Sequence, residues 1–136
     1  MAVLAPDVQE FLQEARLASL ATVRPNGRPH VTPVWYEYDG HEFLVSTPRS
    51  TQKLRNISRK GFAALCISDQ ATYRHVIVEG PARVGSPVDN VWRERVAIRY
   101  LGETAGRAYV REAGDWDVVA LHIRPVKWVT QGFETS

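Results

Sequence analysis

The segment Phe43–Lys60, FLVSTPRSTQKLRNISRK, decides how the rest of the chain is interpreted. It begins with apolar residues typical of a strand and passes through a polar turn. Ser50 or Thr51 could then cap a helix, because Leu54 and Ile57 follow at helical spacing. The pattern therefore predicts a strand, a turn and a basic helix.

Lys53 falls in or near the first turn of that helix. The positive end of the helix dipole lies there, so a cation is destabilising unless an anion neutralises it. No acidic residue occurs between Glu42 and Asp69. Hydroxyls of Thr47, Ser50 and Thr51, helix N–H groups and the Lys53 ammonium could converge on a phosphate. A solvated basic surface helix explains the same pattern, and these residues alone do not decide between the two.

Upstream, the sequence predicts a short helix and a three-stranded meander. Asp7 and Glu10 resemble a capping box, and apolar residues continue at helical spacing to Ala15. Strands are predicted at 18–24, 30–38 and 42–47, with turns at Pro25-Asn26-Gly27 and Asp39-Gly40. Pro33 cannot donate to a strand ladder, so it marks an edge, a bulge, or a place where something other than a strand lies alongside; we favour the last.

Downstream, strands are predicted at 62–68, 73–84 and 116–130, the last interrupted near Pro125. Ser86 and Pro87 suggest the cap and first residue of a helix that ends at Gly102, and a second helix ends at Gly114. The fold class is therefore mainly β with peripheral helices, a six-stranded, partly open antiparallel barrel. A barrel this small fills its own interior, so a large ligand would lie outside it or between two copies.

Composition places the chain among ordinary globular proteins. Its 136 residues predict one domain, 1–136, and 44% are hydrophobic and 24% charged. A net charge of +2 does not favour a nucleic-acid or membrane-surface binder. The single cysteine, Cys66, is compatible with a cytoplasmic location, and no apolar run approaches the roughly 20 residues of a membrane span.

No catalytic residue can be identified from the sequence. His30, His41, His75 and His122 lie on separate predicted elements without metal-ligand spacing, so we expect no metal site. No nucleophile motif occurs, so an anion site would imply a phosphate-bearing cofactor that supplies the chemistry. The aromatic residues Trp35, Tyr36 and Tyr38 could border a flat ring, or fill the core or a dimer interface.

Three segments resemble a known family: GRPHVTPVWYEYDG (27–40), EFLVSTPRSTQKLRNISR (42–59) and YRHVIVEGPARV (73–84). In this order and spacing they are similar to the pyridoxamine 5'-phosphate oxidase-like split-barrel flavoproteins. The strongest likeness is to the branch of coenzyme F-420-dependent enzymes, the flavin/deazaflavin oxidoreductase B group. The resemblance covers residues 8–130, and its most specific part is the segment from Thr47 to Asn56.

The resemblance implies a six-stranded split barrel and a homodimer, with coenzyme F-420 or FMN at the interface. The cofactor phosphate would lie on the Lys53 segment. The ring of the cofactor would lie against the backbone of the strand 31–35, where the missing N–H of Pro33 would be explained by the adjacent ring. The residues that this resemblance implies for cofactor binding are Val31, Thr32, Pro33, Val34, Trp35, Val45, Ser46, Thr47, Arg49, Ser50, Thr51, Lys53 and Asn56.

One departure from the family pattern concerns the substrate-binding motif. Pyridoxamine-phosphate oxidases carry a C-terminal Arg-x-His motif for their substrate, and this chain ends VKWVTQGFETS without it. We therefore do not expect vitamin B6 oxidation, and the resemblance leaves the substrate unassigned. The first interpretation is an oxidoreductase that moves a hydride between F-420 or FMN and an organic acceptor such as an enone, quinone or tetrapyrrole. The alternatives are a flavin- or haem-binding carrier or sensor on the same fold and, more remotely, a barrel that binds single-stranded nucleic acid.

Overall fold

The computed structural model describes residues 4–114 and 117–134. Within these ranges the chain is mainly β with four helices, and the elements follow one another in this order: α1 (Pro6–Gln13), β1 (Ala18–Val23), β2 (Pro29–Val34), β3 (Glu37–Tyr38), β4 (Phe43–Pro48), α2 (Gln52–Lys60), β5 (Phe62–Asp69), β6 (Arg74–Pro87), α3 (Asn90–Leu101), α4 (Glu103–Ala113), β7 (Val118–Ile123) and β8 (Lys127–Gln131). The predicted start of the last strand at Trp116 lies outside the described residues.

The strands form two antiparallel sheets that share the long strand β6. The first sheet has the order β2-β1-β5-β6-β8, and the second has the order β3-β4-β7-β6. β7 and β8 follow each other along one edge of β6, β7 beside its second half and β8 beside its first. β2 and β3 remain at the two ends of the strand order without pairing to each other. The sheet is therefore not closed, and the architecture is the predicted split barrel.

The chain crosses closely over β6 at the junction of β7 and β8. The N–H of Arg124 donates to Pro81 at 2.9 Å, and the N–H of Val126 donates to Glu79 at 3.0 Å. A Cβ at Gly80 would lie 1.9 Å from the carbonyl oxygen of Arg124. Only glycine permits this approach. The interruption predicted near Pro125 is confirmed at residues 124–126.

The core lies between the inner faces of the two sheets. Alternate residues of β4 point inward, and Phe43, Val45 and Thr47 are each at most 1% exposed. α1 contributes Phe11 and Leu12, which are fully buried. Strand β7 is buried on both faces, because α3 and α4 cover the outer face of the second sheet.

The second predicted strand, 30–38, is wrong as a single element, because the chain leaves the first sheet after Val34 and enters the second at Glu37. The backbone N–H of Tyr36 donates to the hydroxyl of Tyr100 on α3 at 3.0 Å. The Tyr36 hydroxyl donates to Leu12 at 3.0 Å. Both bonds hold Tyr36 at the break between β2 and β3. The two predicted turns therefore connect β1 to β2 and β3 to β4, and β2 does not pair with β4.

Two predicted helix caps are also wrong. β6 continues through Pro87, and the cap of α3 is Asp89, whose carboxylate accepts a hydrogen bond from the N–H of Trp92 at 2.9 Å. The cap residue of α1 is Ala5, without a side-chain hydrogen bond, and Asp7 lies in the first turn. Since two predicted strands are divided, the described part of the barrel contains eight strand segments instead of six. None of the helices in the described ranges has the length and apolar character needed to span a bilayer.

Candidate anion-binding site

The turn between β4 and α2 is held by its own hydroxyl groups. Thr51 is the cap residue of α2, but its hydroxyl does not cap the helix. Thr51 Oγ1 lies 2.8 Å from Thr47 Oγ1 and donates to the Pro48 carbonyl at 3.1 Å. Thr47 itself is fully buried. Among the residues that the structure describes, no side chain caps the first N–H groups of α2, which leaves them available to an anion.

Lys53 lies in the first turn of α2 and is half-buried. Burial lowers the pKa of its ammonium group. In the described ranges no acidic residue forms an ion pair with Lys53, and the first turn of α2 contains none. A desolvated cation without a counter-charge, at the positive end of a helix, is the environment that a bound anion would stabilise.

Asn56 fixes the position of α2 on β1. It is 1% exposed, and its amide nitrogen donates to the hydroxyl of Thr22 at 3.0 Å. Its amide oxygen accepts a hydrogen bond from Gln52 at 2.7 Å. Because Lys53 lies one turn earlier on the same side of the helix, this contact places Lys53 above the inner face of the first sheet. Asn56 thus has a structural role, and its predicted contact with a cofactor stays a prediction.

His30 lies beside Lys53 on this inner face. Its cross-strand partner is Thr22, which α2 covers through Asn56. His30 Nδ1 is buried and has no hydrogen-bond partner in the part of the chain that the structure describes. Burial, and then the charges of Arg24 and Lys53, lower the pKa of the imidazole. An unpaired buried nitrogen next to an unpaired ammonium indicates that the site accepts a further polar group.

His30 is not among the residues that the sequence predicted for the site. The four histidines lack metal-ligand spacing, which indicates structural or surface residues. The described residues contain no group of three or more His, Cys, Asp or Glu side chains that could hold a metal. The available signal was its position on β2, two residues before Thr32 and on the same face of the strand.

The outer edge of β2 is open and poor in hydrogen-bond donors. The N–H of Arg24 donates to the carbonyl of Arg28 at 2.9 Å, so these two residues form a hydrogen-bonded pair of the β1–β2 ladder. Hydrogen-bonded pairs alternate along an antiparallel ladder. The backbone polar groups of Pro29, Val31 and Pro33 therefore point away from β1. The prolines have no N–H, so this stretch offers one donor, at Val31, together with carbonyl oxygens. Pro33 lies on an edge strand, since no strand of the described chain pairs with β2 beyond it. The favoured interpretation, that something other than a strand lies alongside, stays a prediction.

The other predicted site residues are placed differently. Trp35 and Ser46 line a cavity of about 100 Å³ beneath α3 and α4. The Trp35 ring stacks on Tyr100, with centroids 5.0 Å apart and planes 11° apart, and also contacts Tyr109. The side chains of Val34 and Val45 are buried in the core.

The residues after β4 are engaged with neighbouring groups. Arg49 forms an ion pair with Asp117, with 2.8 Å between Nε and Oδ2. The carbonyl oxygen of Ser50 accepts a hydrogen bond from Arg55 at 2.8 Å. The structure thus brings Thr47, Thr51 and Lys53 together at the start of α2, and it adds His30 to them.

A basic groove lies next to this point. It has a volume of about 460 Å³ and is lined by the turn after β1 and one side of α2, with Arg24, Pro25, Asn26, Gln52, Arg55, Asn56 and Arg59. The three arginines give the approach to the site a positive potential. Three observations indicate that a phosphate group fits this site. In the described chain, the N–H groups at the start of α2 are uncapped, the Lys53 ammonium has no counter-charge, and the buried nitrogen of His30 has no hydrogen-bond partner.

The fold and the candidate site together define a split-barrel protein in which a basic, uncapped helix start lies beside an open sheet edge. The family model described as "Pyridoxamine 5'-phosphate oxidase" matches residues 4–132. The chain belongs to the pyridoxamine 5'-phosphate oxidase family, as the resemblance of its motifs implied.

The chain is similar in sequence to a curated relative and in fold to solved structures. An F420H(2)-dependent biliverdin reductase of Mycobacterium tuberculosis is 39% identical over 90 residues, which are 65% of this chain and 64% of that protein. The matched region is thus somewhat less than two thirds of that relative's length. A conserved hypothetical protein from Mycobacterium tuberculosis superposes with a TM-score of 0.73 at 26% identity, over 94% of this chain and 84% of the other. An F420 reductase superposes with a TM-score of 0.74 at 23% identity, over 89% and 94% of the two chains, and supports the fold alone.

Proposed function

We propose that the protein is an oxidoreductase that transfers a hydride between a bound coenzyme F-420 or FMN and an organic acceptor. The observation that carries this proposal is Lys53, a half-buried cation at the start of α2 without a counter-charge in the described chain. The sequence relative whose printed name is F420H(2)-dependent biliverdin reductase supports a tetrapyrrole as the acceptor. It also favours F-420 over FMN.

In this proposal the start of α2 holds the cofactor phosphate. The N–H groups of the first turn and the Lys53 ammonium bind it, with Ser50 and Thr51 beside it and Arg49 at the entrance. The buried Thr47 and the partly exposed Thr51 keep the turn in position, since their hydroxyls are 2.8 Å apart. Both F-420 and FMN carry a phosphate on a ribityl chain, so this part of the site serves either.

The ring of the cofactor would lie along the open edge of β2. There the N–H of Val31 is free to donate to the polar edge of a flavin-type ring, and the carbonyls of Val31 and Pro33 are free to accept from it. Thr32, Val34 and Trp35 belong to the same strand and its end, and Val45 and Ser46 to the strand that leads to the phosphate. The bound ring supplies the hydride chemistry, while these residues bind and orient it. No residue is assigned a role in proton transfer.

We also propose a homodimer in which a second copy covers the outer face of the first sheet. This face presents a cross-strand row, Pro33–Ser19–Cys66–Ile77–Val129, which is apolar except for Ser19. Val31 is 62% exposed, Phe62 46% and Val129 45%. A contiguous apolar sheet face is typical of an interface. Since β2 borders this face, a second copy would also bring protein close to the open edge and shelter the ring from water.

The function is tested by titrating the purified protein with F-420 and, separately, with FMN, followed by absorbance. Turnover is then measured with the reduced form of the cofactor that binds, with biliverdin as the acceptor. The proposal predicts saturable binding and cofactor-dependent loss of the biliverdin absorbance. Tight binding without turnover against biliverdin, quinones or enones would instead support a carrier or sensor on the same fold.

A further inference from the structure

His30 and Lys53 form a pair that the proposed function leaves only half explained. Lys53 is assigned to the phosphate, but the neighbouring imidazole has a buried Nδ1 without a partner in the described chain. A buried polar atom of this kind costs free energy unless a ligand or solvent group completes it. The inference drawn from this pair rests on the proposed anion site.

The surroundings of His30 are positively charged. Arg24 at the end of β1 and Lys53 on α2 both act on the imidazole, and the uncharged Thr22 and Asn56 lie between the strand and the helix. None of the carboxylates in residues 4–114 and 117–134 forms an ion pair with His30. These surroundings therefore disfavour the protonated imidazole while the site lacks an anion.

We infer that His30 is a second anion-binding residue, which takes up a proton from solvent when a phosphate-bearing ligand binds beside Lys53. The negative charge of the phosphate offsets the positive field that Arg24 and Lys53 create at the imidazole. In its protonated form both ring nitrogens donate, so Nδ1 gains a role in binding. His30 is thus a positioning and affinity residue for the phosphate, and it does not touch the reacting atoms.

The sign of the pH dependence follows from linkage. Burial, Arg24 and Lys53 hold the pKa of free His30 below its usual value of 6.5, and the bound anion raises it. Between these two pKa values the complex holds one proton more than the free protein, so ligand affinity rises as the pH falls. Each unit by which the ligand raises the pKa adds about tenfold to the affinity at low pH.

The test is a titration of the histidine Cε1–H signals by NMR, in the free protein and with saturating F-420 or FMN. His30→Asn identifies the His30 signal. His41→Asn is the matched control, because His41 lies in the exposed turn between β3 and β4. We expect the pKa of His30 to rise when the ligand binds. The cofactor affinity of the wild type and of His41→Asn should increase toward pH 5.5 more steeply than that of His30→Asn. Titration of the ligand itself affects all three proteins equally, so this comparison removes its contribution.

The outcomes separate this inference from the proposed function. If the ligand binds, Lys53→Ala weakens it, and the His30 pKa does not change, the inference is wrong while the anion site stands. If Lys53→Ala binds F-420 and FMN as tightly as the wild type, or if neither cofactor binds, the anion site is wrong and the inference with it. The inference would also be wrong if the cofactor affinity of His30→Asn depended on pH as steeply as that of the wild type.

Discussion

The amide nitrogen of Asn56 donates a hydrogen bond of 3.0 Å to the hydroxyl of Thr22, and this contact fixes α2 on the barrel. Both residues are almost completely buried. The helix carries Lys53, so a side-chain contact inside the protein determines where the cation is presented. The local sequence of α2 alone does not specify this position.

Replacement of Asn56 should therefore destabilise the protein. Asn56→Ala leaves the buried Thr22 hydroxyl unpaired, and we expect a loss of about 1–3 kcal/mol in the free energy of unfolding, measured in urea. The double variant Thr22→Val/Asn56→Leu is the control, because it removes both polar partners and should recover part of the loss. Equal stability of Asn56→Ala and the wild type would show that the contact does not hold α2.

Trp35 is expected to serve both the site and the packing of the helices. Trp35→Ala should weaken cofactor binding by about 1 kcal/mol, the usual value of an aromatic contact. It should also lower the melting temperature, because the ring stacks on Tyr100. Tyr109→Ala is the matched control, since it removes the other neighbour of Trp35 and should lower stability without changing affinity. Unchanged affinity in Trp35→Ala would place this residue in the packing alone.

Tyr36 should make the protein sensitive to alkaline pH. Burial raises the pKa of its phenol to about 12. Between pH 10 and 12 the unfolded chain loses this proton while the native protein keeps it, so stability falls as the pH rises. We expect Tyr36 to account for about 2–3 kcal/mol of that fall.

The measurement is the free energy of unfolding of the wild type and of Tyr36→Phe at several values of pH from 9 to 12. Tyr36→Phe should show a shallower decline, because its ring has no proton to lose. Parallel curves would mean that Tyr36 ionises as easily in the native protein as in the unfolded chain.

The sequence predicted the elements that depend on neighbouring residues. The hairpins at Asn26-Gly27 and Asp39-Gly40 are present, as are the basic helix after Thr51 and the helix ends at Gly102 and Gly114. Each of these relies on a turn or cap residue within a few positions.

Features that depend on distant residues could not be predicted in this way. The break before Tyr36 is held by Tyr100, which lies 64 residues later. The extension of β6 to Pro87 depends on pairing with Val119 of β7. His30 was missed for the same reason, since its neighbour Lys53 lies on another element and only the fold brings them together.

The proposed dimer can be tested on the outer face of the first sheet. Phe62→Glu places a carboxylate in the interface, which should cost about 3 kcal/mol or more and weaken the dimer at least about a hundredfold. Val91→Glu is the control, because Val91 is 75% exposed on α3, away from that face. The mass is measured by sedimentation equilibrium. A wild-type protein that is monomeric with cofactor bound would contradict the proposal.

The site itself depends on Lys53, so the most direct measurement is the cofactor affinity of Lys53→Ala at low salt, where contacts to phosphate are strongest. Lys60→Ala, in the last turn of the same helix, is the matched control. Removal of a charge-assisted contact should weaken F-420 or FMN binding by about 1.5–3 kcal/mol, roughly ten- to a hundredfold, while Lys60→Ala binds as the wild type does. Without cofactor, Lys53→Ala should be as stable as the wild type or more stable by up to about 0.5 kcal/mol, because the helix dipole opposes the cation. Equal affinity of Lys53→Ala and the wild type would contradict the placement of the phosphate, and with it the proposed site.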